Sequence, residues 1–161
     1  MISVEEARRR ILEAIQVLPA EQVAVSQGLG RVLAEEVRAQ VTQPPAAVSA
    51  MDGYAVQGAD VAQVPATLSV VGAVPAGGFY EPTLKRGEAV RIFTGAPLPA
   101  GADTIVIQED TTADGTTITV LEAPRIGRHV RKAGLDFTAG DQPLAAGRTL
   151  TTRDVALAAA M

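Results

Sequence analysis

The sequence predicts a mixed α+β fold in which a β-rich irregular barrel or coiled sheet is inserted into a small, discontinuous helix-plus-strand domain. Three observations carry this expectation. Apolar residues recur at helical spacing near the amino terminus and again in the tail; between those ends they alternate in short pairs; and Pro and Gly break the alternating part at close intervals.

Ser3 followed by Glu6 matches a reciprocal capping box, and Ile11, Leu12, Ile15 and Leu18 keep helical spacing, so the chain should open with an amphipathic helix. Arg8, Arg9 and Arg10 read as its solvated basic face. "LPAEQVAVSQGLG" interrupts the helix and holds a short strand candidate from Gln22 to Val25. "GRVLAEEVRAQ" predicts a second short helix with Val32, Leu33 and Val37 on one side. Pro44 and Pro45 then force an extended path and mark a domain boundary. The expected outer domain comprises 1–48 and 137–161, and the inserted β-rich domain 49–136.

Beyond the boundary the period drops to two. Leu68 with Val70, Val90 with Ile92, Ile105 with Ile107 and Ile118 with Val120 mark four strands. Asp114-Gly115 is a turn signal between the last two, in a segment that reads as longer than a minimal hairpin. Prolines at 65, 75, 82, 97 and 99 argue for short, bent strands. The tail passes from turn to strand to a helix start, with Thr151 or Thr152 as cap and Asp154 in the first turn, where an acid suits the helix dipole. That helix is still apolar at the chain end, which suggests a continuation.

With 161 residues, 47% hydrophobic and 20% charged, the chain can bury a real core and is not a disordered segment. No apolar run approaches the roughly 20 residues of a membrane span. "MISVEEARRR" lacks the apolar stretch of a secretory signal, and there is no cysteine, so a cytoplasmic protein is expected. A net charge of −4 argues against a nucleic-acid surface but leaves room for a small local anion site.

Three stretches could carry chemistry. In "VSAMDGYAV", Asp52-Gly53 favours a turn and leaves a carboxylate free to accept from backbone amides or to meet a hard cation; a plain structural turn is the simpler reading. In "RIFTGAPLPAGADTIVIQED", Thr94-Gly95 follow a strand end, where a hydroxyl and successive N–H groups can receive an anion, or merely form a rigid turn. In "GRHVRKAGLDF", Arg128, Arg131 and Lys132 precede Asp136, a mixture suited to metal-bridged phosphate chemistry or to surface ion pairing. His129 is the single histidine and reads as structural or hydrogen-bonding; without cysteine there is no zinc finger. Tyr54, Phe93 and Phe137 each fall in one of these stretches. Packing is their first reading, with Tyr54 pinning the turn that aims Asp52, and substrate stacking the second.

Taken in order, "SAMDGYAV", "RIFTGAPLPAGADTIVIQED" and "HVRKAGLDFTAGD", with the earlier "GRVLAEEV", resemble the amino-terminal half of molybdopterin molybdenumtransferases, the MoeA family that includes the E domain of gephyrin. The resemblance covers nearly the whole chain. It implies insertion of molybdate into adenylylated molybdopterin with Mg²⁺, cleaving the adenylate and yielding molybdenum cofactor. It also implies an elongated homodimer whose cleft draws on both subunits, with a molybdopterin adenylyltransferase as a further partner.

Asp52 matches the family's acid in Met-Asp-Gly-Tyr, Thr94 its threonine in Thr-Gly-Ala-Pro, Asp136 the acid after the basic stretch, and Arg131 the arginine five residues earlier. The resemblance makes Asp52 and Asp136 the acids that position metal or substrate, Thr94 a hydroxyl donor and Arg131 an anion contact. Ala46 and Ala47 stand where the family often has an aromatic and Asp or Asn, and Leu135 where it often has Glu, so those polar roles do not carry over. The family continues into a catalytic α/β domain and a small β domain that have no counterpart in these residues. Catalysis needs both reactants held in one geometry, so this polypeptide alone is expected to be inactive. Two other classes stay open: a non-catalytic dimerisation or binding module, and a Mg²⁺-dependent phosphate hydrolase.

Overall fold

The computed structural model describes residues 1–161. Its elements in chain order are α1 (Val4–Ala14), β1 (Val48–Ser49), β2 (Gly53–Val56), β3 (Ala66–Val74), β4 (Glu88–Ile92), β5 (Thr104–Ile107), β6 (Thr111–Asp114), β7 (Thr117–Val120), β8 (Val130–Arg131) and α2 (Thr152–Ala160). Short 3₁₀ turns lie at Val25–Gln27, Gly58–Val61 and Gln108–Asp110. The chain forms two compact units: Met1–Val37 with Gln142–Ala160, and Arg38–Asp141 with Met161. The architecture is mixed α+β, with helices confined to the first unit and all strands in the second.

In the first unit, α1 begins where the Ser3 hydroxyl accepts the Glu6 N–H at 3.1 Å. Glu6 holds Arg9 at 2.8 Å and Arg10 at 2.7 Å, and Arg9 reaches Glu13 at 2.6 Å. These pairs are exposed and screened by solvent, so they add little to the stability of the helix. The helix is shorter than the spacing predicts: Ile15 is already extended, and Leu18 lies beyond it, exposed. No residue of α1 is buried, so no packing extends the periodicity past Ala14.

Two expected elements are replaced. Gln22 to Val25 forms no strand, and Val25 instead opens a 3₁₀ turn; Val23 and Val25 are exposed and no neighbouring strand pairs with them. "GRVLAEEVRAQ" is not helical. Its backbone bonds to a distant segment: Leu33 N–H donates to Arg148 O at 3.0 Å, Val37 N–H to Leu144 O at 2.9 Å and Leu150 N–H to Arg31 O at 2.8 Å. Those long-range bonds satisfy backbone groups that a helix would have satisfied locally. The strand expected before α2 is reduced to isolated bridges, Val32 to Thr149 and Val37 to Leu144. At α2 the Thr151 N–H and hydroxyl donate to Asp154 at 2.9 and 2.8 Å, and the Asp154 N–H returns a long 3.4 Å bond to the Thr151 hydroxyl.

The second unit is built on a six-stranded sheet in the order β5-β2-β4-β3-β7-β6, antiparallel except for the β3–β4 pair. A two-stranded ladder of β1 and β8 stands apart, with Val48 opposite Arg131 and Ser49 opposite Val130. Alternate residues of the same strands feed two cores. Ala55, Val90, Ile92 and Ile105 join Val74, Leu84 and Ala96 in one; Val56, Ala89 and Val106 join Val61, Leu68, Ile118 and Val120 in the other. The central strands are therefore buried on both faces, and each fully buried Val, Leu or Ile contributes about 1.5–3 kcal/mol of burial energy.

All four expected strand pairs lie in β3, β4, β5 and β7. The sequence reading missed β6, an edge strand whose Thr112, Ala113 and Asp114 are exposed, leaving no apolar alternation to read. The turn signal at Asp114-Gly115 is real, and the segment between the last two expected strands is longer than a hairpin loop because it holds β6: Asp114 pairs with Thr117, leaving Gly115-Thr116 as a two-residue loop between β6 and β7. At nine residues β3 is longer than expected, although its register with β4 shifts between Val70 and Gly72 and bends it.

Gly53 explains why Asp52 is followed by glycine. Gly53 lies between Ile92 and Ile107 of its neighbours, and a Cβ there would sit 2.0 Å from the Val106 carbonyl oxygen. Only a residue without a side chain fits.

Candidate functional site

The second unit gathers the candidate residues around two adjacent loops. Asp52 ends the turn from β1 to β2, which the Ser49 side chain shapes by donating to the Met51 carbonyl at 2.6 Å. Ala50 N–H donates to the His129 carbonyl at 2.8 Å and fastens the same turn to the residue that precedes β8. Thr94 lies just past β4, in a turn closed by Ala96 N–H donating to Phe93 O at 2.9 Å. Gly95, at φ +83°, takes the third position, where a type II turn needs a positive φ. Two bonds fix this turn against β1: Gly95 N–H to Ser49 O and Ser49 N–H to Ala96 O, both 2.9 Å.

These constraints bring Asp52 and Thr94 together. The Thr94 N–H and the Thr94 hydroxyl both donate to Asp52 Oδ1, each at 2.8 Å. First the N–H, then the hydroxyl, and more weakly the positive charge of Arg91 hold the Asp52 carboxyl below the usual carboxylate range. Asp52 is thus an exposed, ionised group with one oxygen committed. Oδ2 takes no hydrogen bond and is a hard oxygen of the type Mg²⁺ accepts.

Arg131 and Asp136 fall elsewhere on the unit. Both line a cavity of about 480 Å³, with Gln43, Pro44, Val48, Phe79 and Gly95 among its walls. Asp136 is placed by its N–H donating to the Gln43 carbonyl at 3.0 Å, and Arg131 by its ladder with Val48. Neither side chain has an ion-pair partner. The Thr94-Gly95 turn connects the two groupings, since Thr94 binds Asp52 while Gly95 borders the cavity. No group of three or more His, Cys, Asp or Glu side chains is gathered closely enough to hold a metal. A Mg²⁺ ion at this surface would rest on one or two carboxylates completed by water and substrate oxygens, a mode ordinary for that ion.

Sequence reasoning overlooked Arg91. Its position between Val90 and Ile92 reads as a solvent-facing strand residue, yet it stands opposite Tyr54. Its guanidinium lies 5.1 Å from the Tyr54 ring centre and 4.9 Å from that of Phe93. Nη1 donates to the Gly53 carbonyl at 3.2 Å and Nη2 to Gln108 Oε1 at 2.6 Å. The usable signal was the shared alternation of Tyr54 and Arg91 in strands flanking the Asp52 motif. Other polar residues of these motifs hold structure: Asp103 accepts the Gly58 N–H and the Thr104 hydroxyl, each at 2.7 Å, and His129 Nε2 accepts from Arg128 at 3.0 Å. Tyr54 packs on the second core, and Phe137 is buried.

Residues 2–161 match the family model described as the MoeA N-terminal region, domains I and II. The molybdopterin molybdenumtransferase of Nostoc sp. is 42% identical over 137 residues, covering 81% of this chain and 31% of that protein. The enzyme of the same name from Haemophilus influenzae is 35% identical over 164 residues, covering all of this chain and 40% of its own length. Among solved structures, the molybdopterin biosynthesis MoeA protein of Pyrococcus horikoshii OT3 superposes with a TM-score of 0.90 at 32% identity, over 97% of this chain and 42% of that one. The chain therefore spans less than half the length of these relatives. No helix in it is long and apolar enough to cross a membrane.

Proposed function

Because the chain belongs to the MoeA N-terminal region family, we propose that it is the amino-terminal portion of a cytoplasmic molybdopterin molybdenumtransferase that inserts molybdate into adenylylated molybdopterin. The observation that carries this reading is the double donation of Thr94 to Asp52. Two donors on one oxygen keep the carboxylate ionised and fixed in direction while the other oxygen stays open.

In this reading Asp52 presents Oδ2 toward cation or substrate, and Thr94 sets its angle. Arg131, with no protein acid to neutralise it, offers the cavity a guanidinium matched to phosphate or molybdate oxygens. Asp136 supplies the second carboxylate from the same cavity. Mg²⁺, when bound, would neutralise phosphate charge beside these acids. A homodimer, and a molybdopterin adenylyltransferase that supplies the adenylylated substrate, belong to the same proposal. The test is reconstitution of the native full-length polypeptide with molybdate, Mg²⁺ and adenylylated molybdopterin. Formation of molybdenum cofactor with release of AMP is the expected result; no turnover by a folded protein contradicts it.

A second reading, a non-catalytic association module, draws on α1, where Ile11 and Leu12 are 61% and 56% exposed. Self-association that survives loss of both Asp52 and Asp136, in a full-length protein without turnover, would favour it.

A further inference from the structure

Four contacts converge on the peptide that carries Asp52. The side chain is held by Thr94. The Asp52 carbonyl accepts the Gln108 N–H at 3.2 Å, and the next carbonyl, that of Gly53, accepts Arg91 Nη1 at the same distance. Arg91 Nη2 then closes the circuit on the Gln108 side chain at 2.6 Å. One guanidinium thus joins β2, β4 and the start of the turn after β5, at the point where the Asp52 loop enters the sheet.

We propose that Arg91, paired with Gln108, is a positioning residue for Asp52: a brace that fixes the direction of the carboxylate without touching substrate. This deepens the reading of Asp52 as a site acid and rests on it. The guanidinium lies against two aromatic rings, and two of its nitrogens are engaged with protein acceptors, so it is not directed toward a ligand. The arrangement needs a planar fork. Two separated acceptors are reached at once while both rings are stacked, which a lysine ammonium cannot reproduce despite equal charge. Gln108 in turn grips Asp52 through its backbone and Arg91 through its side chain, so the two residues act as one unit.

The test uses the full-length enzyme and three single variants, Arg91→Lys, Gln108→Ala and Asp52→Ala, with the double variant Arg91→Lys/Gln108→Ala. A carboxylate displaced by a fraction of an ångström costs turnover rather than binding, and a misplacement near 1 Å can cost about a hundredfold. Arg91→Lys should lower kcat about tenfold or more while KM for adenylylated molybdopterin stays within about threefold and the unfolding midpoint stays near wild type. Gln108→Ala should lower kcat in the same way, and the double variant should be no slower than Arg91→Lys alone. Wild-type kcat in Arg91→Lys and Gln108→Ala, with Asp52→Ala inactive, overturns the brace and leaves the site reading standing. A change confined to KM, or a loss of activity that follows a fall in unfolding midpoint, also overturns it. Full activity in Asp52→Ala removes both readings together.

Discussion

Thr94 gives two hydrogen bonds to the same oxygen of Asp52, one from its backbone and one from its side chain, each 2.8 Å long. The backbone bond exists because Gly95 turns the chain at the end of β4, and the side-chain bond because a hydroxyl stands at that position. Substitution can therefore separate the two. In Thr94→Val the N–H bond remains and the hydroxyl bond is lost, so the Asp52 carboxyl should rise part of the way toward its ordinary range. Carboxyl titration by NMR checks this, and an unmoved midpoint would show that the hydroxyl contributes nothing.

The close approach at Gly53 makes a stability prediction. A Cβ at that position meets the Val106 carbonyl oxygen at 2.0 Å, and the obstacle is backbone of the paired strand β5 rather than a mobile side chain. Gly53→Ala should destabilise the second unit by about 3 kcal/mol, the upper part of the usual overpacking range. Urea unfolding of the variant measures it; an unchanged midpoint would contradict the packing described.

Asp154 supplies one source of pH dependence in the first unit. The Arg148 guanidinium at 2.9 Å, followed by the Thr151 N–H and hydroxyl, lowers its carboxyl from 3.8 to about 2. A carboxyl depressed in the folded state contributes stability that is complete above the unfolded value and is lost as pH falls through the folded one. Stability should therefore be independent of this group above about pH 4 and decline between about pH 4 and pH 2. Asp154→Asn should remove that part of the acid sensitivity, as read from unfolding midpoints across the range.

Arg131 tests the anion role of the cavity. In the full-length enzyme, Arg131→Gln removes the guanidinium while sparing the β1–β8 backbone ladder. The expected outcome is a KM for the anionic substrate raised about tenfold, the equivalent of one charge-assisted contact. An unchanged KM would place the anion elsewhere.

The parts of the fold that were legible in the sequence are those stabilised locally or by clear alternation. Ser3 and Glu6 mark a helix start because a cap needs only its own turn, and Val90, Ile92, Ile105 and Ile118 mark strands because they enter a core. Leu33 and Val37 misled because helical spacing also suits isolated bridges, and their true partners, Arg148 and Leu144, lie far along the chain. The sharp turns at Asp52 and Thr94 were readable from glycine. Their mutual bonding was not, since it depends on β2 and β4 lying side by side, a pairing that periodicity does not specify. Arg91 was hidden for the same reason.

The most direct measurement compares wild-type and Asp52→Ala full-length enzyme for molybdenum cofactor formed from molybdate, Mg²⁺ and adenylylated molybdopterin, with circular dichroism and unfolding midpoints taken on the same samples. Loss of cofactor formation in a variant that folds like wild type is the predicted result. Cofactor formation at the wild-type rate would contradict the assignment of Asp52, and with it the site built around its bond to Thr94.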